Sequence, residues 1–92
     1  MKNDQKWALI TGASSGIGLE FARIFAKNHI NLVLVARNIN ALNSLSKELI
    51  KLYKVKVIIY PLDLSEVSNA EVLVGKLSKQ KITPTYLINN AG

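Results

Sequence analysis

Four short apolar runs alternate with three stretches of helical period, so the chain predicts strand, helix, strand, helix, strand, helix, strand. Lys6 to Thr11 is a β run ended by a glycine-bearing loop. Ile17, Phe21, Ile24 and Phe25 then fall at i, i+4, i+7 and i+8, an apolar stripe for laying one helix on a sheet. That helix is predicted to stop near Asn28 and His29, with Asn28 in the left-handed conformation that ends many helices. Asn31 to Ala36 is almost wholly apolar and rich in β-branched residues, as a strand covered on both faces must be. Leu42, Leu45, Leu49 and Leu52 mark a second helix, and Val55 to Tyr60 a third strand ended by Pro61. Ser68 with Glu71 predicts a capping box for a third helix that buries Val72, Leu73 and Leu77. Tyr86 to Asn89 is the fourth strand. No linker, repeat or low-complexity block interrupts this rhythm.

The segment Thr11-Gly12-Ala13-Ser14-Ser15-Gly16-Ile17-Gly18 joins the first strand to the first helix and reads as a loop that holds the pyrophosphate of a dinucleotide. Gly12 permits the tight strand-to-helix turn, Gly16 lets backbone approach phosphate, and Gly18 lets the helix pack close to the strand. Free N–H groups at the helix start supply donors and a partial positive charge, and the hydroxyls of Ser14 and Ser15 can add hydrogen bonds. The spacing is Gly-x-x-x-Gly-x-Gly, a variant of the commonest dinucleotide fingerprint.

Together with Asp63-Leu64 and Asn89-Asn90-Ala91-Gly92, this loop resembles the N-terminal part of the short-chain dehydrogenase/reductase family, from about Lys6 to Gly92. The resemblance implies an α/β, Rossmann-type parallel sheet with helices on both faces. Right-handed crossovers put the strands in the order 3-2-1-4, with the glycine loop and Gly92 side by side at the carboxyl edge, where ligands bind. It also implies hydride transfer between a nicotinamide and a carbonyl or alcohol. Family members run to roughly 250 residues, a usual size for one α/β domain. Their catalytic Ser and Tyr-x-x-x-Lys pair lie beyond the matching segment. Four positions after Tyr53, Tyr60 and Tyr86 stand Val57, Leu64 and Asn90, so none supplies that pair. Residues 1–92 are therefore expected to be the N-terminal part of a single NAD(P)-binding domain, a fragment or truncated frame with no catalytic residue and no turnover of its own.

The resemblance also distributes roles. Where members that prefer NAD end the second strand with an acid, this chain has Ala36 followed by Arg37, and a guanidinium can hold a 2′-phosphate that a carboxylate would repel. The expected cofactor is NADP rather than NAD, although Ser15 stands where many NADP-preferring relatives carry a base. Asp63 and Leu64 are expected to contact adenine, the carboxylate accepting from its exocyclic amine and the Leu64 N–H meeting a ring nitrogen; an ordinary turn after a strand is the alternative. Asn90 resembles the ribose-side contact, Ile17 belongs to the cofactor loop, and Gly92 leaves room for ribose. Asn89 is expected to tie the fourth strand to the first near Thr11.

The formal charge of +6 is the one feature that suggests a polyanion partner. Its lysines are dispersed over helix faces, Lys47, Lys51 and Lys54 on one and Lys76, Lys79 and Lys81 on another, without a recognition helix or stacking aromatics. No specific nucleic acid or membrane partner is expected; the partners are NADP(H), and a carbonyl or alcohol in a full-length, homo-oligomeric parent. The sequence holds no cysteine, no signal-type block after its polar start and no run near the ~18 apolar residues of a membrane span, which points to the cytoplasm. His29 and Trp7 read as a helix-end residue and a packing residue, and Glu20, Glu48, Glu66 and Glu71 as surface acids, so no metal site is expected. The readings kept open are a non-catalytic nucleotide-binding or interaction module and a frame that does not fold alone.

Overall fold

A computed structural model describes residues 5–90. Strands β1 (Trp7–Thr11), β2 (Asn31–Val35), β3 (Val57–Tyr60) and β4 (Tyr86–Asn89) pair in parallel in the order β3-β2-β1-β4. Helices α1 (Gly16–Lys27), α2 (Ile39–Tyr53) and α3 (Val67–Gln80) make the crossovers. Leu9 stands opposite Val33 on one side and Leu87 on the other, and Val33 opposite Ile58. This is the Rossmann-type architecture and strand order expected of the sequence.

β2 is buried along its whole length because each face meets helices. Leu32 and Leu34, with Ala8 and Ile10 of β1, face α1 and α2 and pack with Ala22, Ala26, Leu42, Leu45 and Leu49. Val33 and Val35 face the other way and pack with Leu73 and Leu77 of α3. The strand therefore loses its alternation of apolar and polar positions, as a two-sided parallel strand must.

The helix faces depart from the expected stripes. α1 buries Gly18, Ala22 and Ala26, whereas Ile17 and Ile24 are 64% and 54% exposed and Phe21 and Phe25 only half-buried. Small residues win this face because they let the helix axis come close to the sheet. Leu52 of α2 and Val72 of α3 are likewise exposed, while the remaining predicted positions of those helices are buried.

α1 stops where expected, but two predicted helix caps are corrected. Asn28 keeps φ −92°, and its side-chain Nδ2 donates to the Ile24 carbonyl at 2.8 Å; His29 takes the left-handed conformation at φ 63°. His29 N–H then bonds Ala26 O and Ile30 N–H bonds Phe25 O, the paired closure that places the left-handed residue one position later. The Ser68–Glu71 capping box does not form. α3 starts at Val67, with Glu66 the extended residue before it, so Ser68 is already helical. Among the described residues no helix is long and apolar enough to cross a membrane.

Candidate functional site

All four strands run toward one edge, where the loops after β1, β2 and β3 and the end of β4 surround a cleft of about 770 Å³. Its wall includes Gly12, Ser14, Ser15, Arg37, Asp63, Leu64 and Asn90, which the sequence had distributed over 79 positions of chain.

The floor is set by Thr11 at the end of β1. Its hydroxyl donates to Asn89 Oδ1 at 3.0 Å and accepts from the Asn90 N–H at 2.9 Å, which pins the end of β4 beside it as expected for Asn89. Asn90 Nδ2 is turned back onto the Gly12 carbonyl at 3.4 Å, so its amide nitrogen supports the loop and its oxygen is the atom left for a ligand. Gly12 and Gly16 have φ of 62° and 60°, a backbone region that favours glycine, and they reverse the chain into α1. A Cβ on Gly18 would lie 2.5 Å from Gly12 O and 2.8 Å from Asn90 Nδ2, so the third glycine is what lets the helix start sit on the strand end.

Ser15 precedes α1 with an extended backbone, and its side chain makes no capping bond. The first turn of α1 carries no acid. Unbonded N–H groups and the positive end of the helix dipole thus stand beside the Ser14 and Ser15 hydroxyls, a donor set that suits a phosphate. Gly16, Ile17 and Gly18 shape this turn without lining the cleft; Ile17 is largely exposed. Gly92 lies outside the described residues.

Arg37 follows the buried Ala36 on the exposed connection to α2 and joins the cleft wall. Across from it, Asp63 leaves β3. Ser65 donates to Asp63 Oδ1 twice, from Oγ at 2.6 Å and from its N–H at 3.0 Å. These bonds hold the Asp63 carboxyl below the usual aspartate range, and the Arg37 charge adds to the effect. The turn chemistry considered as the alternative for Asp63 is therefore present, and it coexists with a place in the cleft. Leu62, Ser65 and Ala70 also line the cleft and were not singled out from sequence. For Ser65 a signal existed: a Ser two residues after an Asp is the spacing of a side-chain turn. The cleft fits a dinucleotide in size, with phosphate donors at one end and a cation at the other.

A family model described as short chain dehydrogenase matches residues 6–92. The very-long-chain 3-oxoacyl-CoA reductase of Vanderwaltozyma polyspora is 41% identical over 86 residues, 94% of this chain and 25% of that protein. The NADP-dependent 3-hydroxy acid dehydrogenase of Schizosaccharomyces pombe is 40% identical over 90 residues, 97% of this chain and 35% of its own length. Among solved structures, L-sorbose reductase from Gluconobacter frateurii, complexed with NADPH and L-sorbose, superposes with a TM-score of 0.89 at 35% identity, covering 96% of this chain and 34% of that one. The chain thus spans between a quarter and about a third of the length of these relatives.

Proposed function

The chain belongs to the short-chain dehydrogenase family, and from that membership we propose that it is the NADP(H)-binding portion of an oxidoreductase acting on a carbonyl or alcohol. The observation that carries this reading is the convergence of the α1 start, Arg37 and Asp63 on one cleft at the carboxyl edge of the sheet. The names of two relatives support the same cofactor, since one is NADP-dependent and the other was solved with NADPH.

The bound cofactor supplies hydride chemistry at its nicotinamide. The residues of this chain bind and orient it. The α1 N–H groups with Ser14 and Ser15 hold the pyrophosphate, and Gly12, Gly16, Ile17 and Gly18 keep that turn in shape. Arg37 meets the 2′-phosphate, Asp63 and the Leu64 N–H recognise adenine, and Asn90 and Gly92 stand on the ribose side. Proton transfer to the substrate belongs to a Ser and a Tyr-x-x-x-Lys pair of the family, which residues 1–92 do not contain.

Calorimetric titration of the chain and two variants tests the cofactor preference. Arg37→Ala is expected to weaken NADPH about ten- to a hundred-fold, as loss of a charge-assisted hydrogen bond does, with little effect on NADH. Ala36→Asp is expected to act in the opposite sense, gaining ribose hydroxyls of NADH and repelling the phosphate of NADPH. Equal weakening of both cofactors by Arg37→Ala would reduce Arg37 to a surface residue and remove the basis for NADP.

A further inference from the structure

The turn that carries Asp63 is held from outside itself. Asn69 sits in the first turn of α3, and its N–H bonds the Glu66 carbonyl at 3.0 Å, as a helix start requires. Its side chain does something the helix does not require. Nδ2 reaches six residues back and donates to the Asp63 carbonyl at 2.9 Å, where the Glu66 N–H also donates at 3.2 Å. Ser65 meanwhile occupies Oδ1 of the Asp63 carboxylate twice. No described residue donates to Oδ2, which leaves one charged acceptor on a residue that lines the cleft. Ser65 thus fixes the rotation of the carboxylate and Asn69 fixes the backbone that bears it.

We propose that Asn69 is a positioning residue for base recognition: by holding the Asp63 backbone from α3, it keeps the free carboxylate oxygen where the exocyclic amine of a bound adenine can donate to it. This rests on the reading of Asp63 as the adenine contact, and it assigns to α3 a part in recognising the base. A misplacement of about 1 Å in such a turn is enough to lose a directional hydrogen bond while the rest of the cofactor stays bound.

The test compares NADPH with its hypoxanthine analogue, which replaces the adenine amine with a carbonyl, turns the adjacent ring nitrogen from an acceptor into an N–H donor, and keeps the same phosphates. Fluorescence titration of the 92-residue chain is expected to favour NADPH by about ten-fold or more, the worth of a hydrogen bond to a charged acceptor. In Asn69→Ala and Asn69→Asp that preference is expected to fall to within about three-fold. Asn69→Asp removes the donor yet puts an acid in the first turn of α3, where the helix dipole favours it, so it separates positioning from helix stability. A structural role alone would weaken both ligands equally and leave the ratio intact. Asp63→Ala serves as the reference for loss of the carboxylate's share of the preference. A parent chain that binds both ligands equally, or binds neither, overturns the adenine reading of Asp63 and the proposal with it. A preference lost in Asp63→Ala but kept in both Asn69 variants overturns the role of Asn69 alone. Loss of cooperative folding in both Asn69 variants would make Asn69 a folding residue and likewise overturn it.

Discussion

Gly18→Ala and Gly75→Ala are the same chemical change inside two helices of the same chain, and the structure gives them opposite signs. At Gly75, on the exposed side of α3, an added Cβ meets nothing within 4 Å. Alanine there gains the ordinary helix preference over glycine, about 1 kcal/mol. At Gly18 the same gain is set against a Cβ 2.5 Å from the Gly12 carbonyl oxygen and 3.0 Å from its carbon, where ordinary contact begins at 3.4 Å. The obstacle is backbone, tied through Asn90 to the end of β4, and cannot swing aside. Overpacking of this kind costs about 3 kcal/mol at the upper end of its usual range, which leaves a net loss of about 2 kcal/mol. With roughly 4–8 °C per kcal/mol for a domain of this size, thermal unfolding followed by circular dichroism should show Gly75→Ala melting about 4–8 °C higher and Gly18→Ala about 8–16 °C lower. Because Gly12 O and Asn90 shape the cleft, Gly18→Ala should also weaken NADPH when the folded protein is titrated. A Gly18→Ala melt at or above the parent's would show that α1 does not need the close approach, and the account of the loop would fall.

Three further outcomes follow from the caps and the cleft. Asn38 accepts from the Ala41 N–H at 3.0 Å at the start of α2, so Asn38→Ala should cost about 1 kcal/mol in urea unfolding. Ser15→Ala removes a side chain that makes no capping bond and should stay within about 0.5 kcal/mol while lowering NADPH affinity; equal destabilisation by the two would contradict the difference in their caps. Ser65→Ala removes the Oγ bond and keeps the backbone N–H bond, so it should raise the Asp63 pKa part of the way toward the ordinary aspartate range, followed by carboxyl NMR, because the Oγ bond is the largest cause of its lowering. A lowered folded pKa contributes stability that is present above the unfolded value and lost as pH falls through the folded one. The parent should therefore lose more stability than Ser65→Ala as pH falls below the ordinary aspartate range, and parallel acid curves would refute this.

The sheet was legible because its signal is redundant. Each strand is a compact apolar run with a breaker after it, and β2 announces its central place by having no polar face at all. The helix faces were less legible, since the stripe of large residues in α1 points to Ile17 and Ile24 while Gly18, Ala22 and Ala26 make the contact. Periodicity weighs side chains by hydrophobicity, and a helix lying close to a sheet selects for smallness. The end of α1 falls where expected, but the left-handed conformation belongs to His29 and not Asn28, and no glycine signal marks it. In the cleft, the glycine loop was found from motif and spacing and Arg37 and Asp63 from the family resemblance, and Thr11, Asn89 and Asn90 do join β1 to β4. Asn69 was invisible in the sequence because its partner is a backbone carbonyl six residues away, and no side-chain pattern records that.

The most direct measurement is a titration of the isotopically labelled chain with NADPH followed by amide NMR. Saturable shifts are expected to concentrate on Gly12, Ser14 to Gly18, Arg37, Asp63 to Ser65 and Asn90, with Gln80 to Ile82 at the opposite edge of the sheet unmoved. Shifts centred on the Gln80 to Ile82 edge, or none at a saturating excess of NADPH, would contradict the assignment of the cleft to the cofactor.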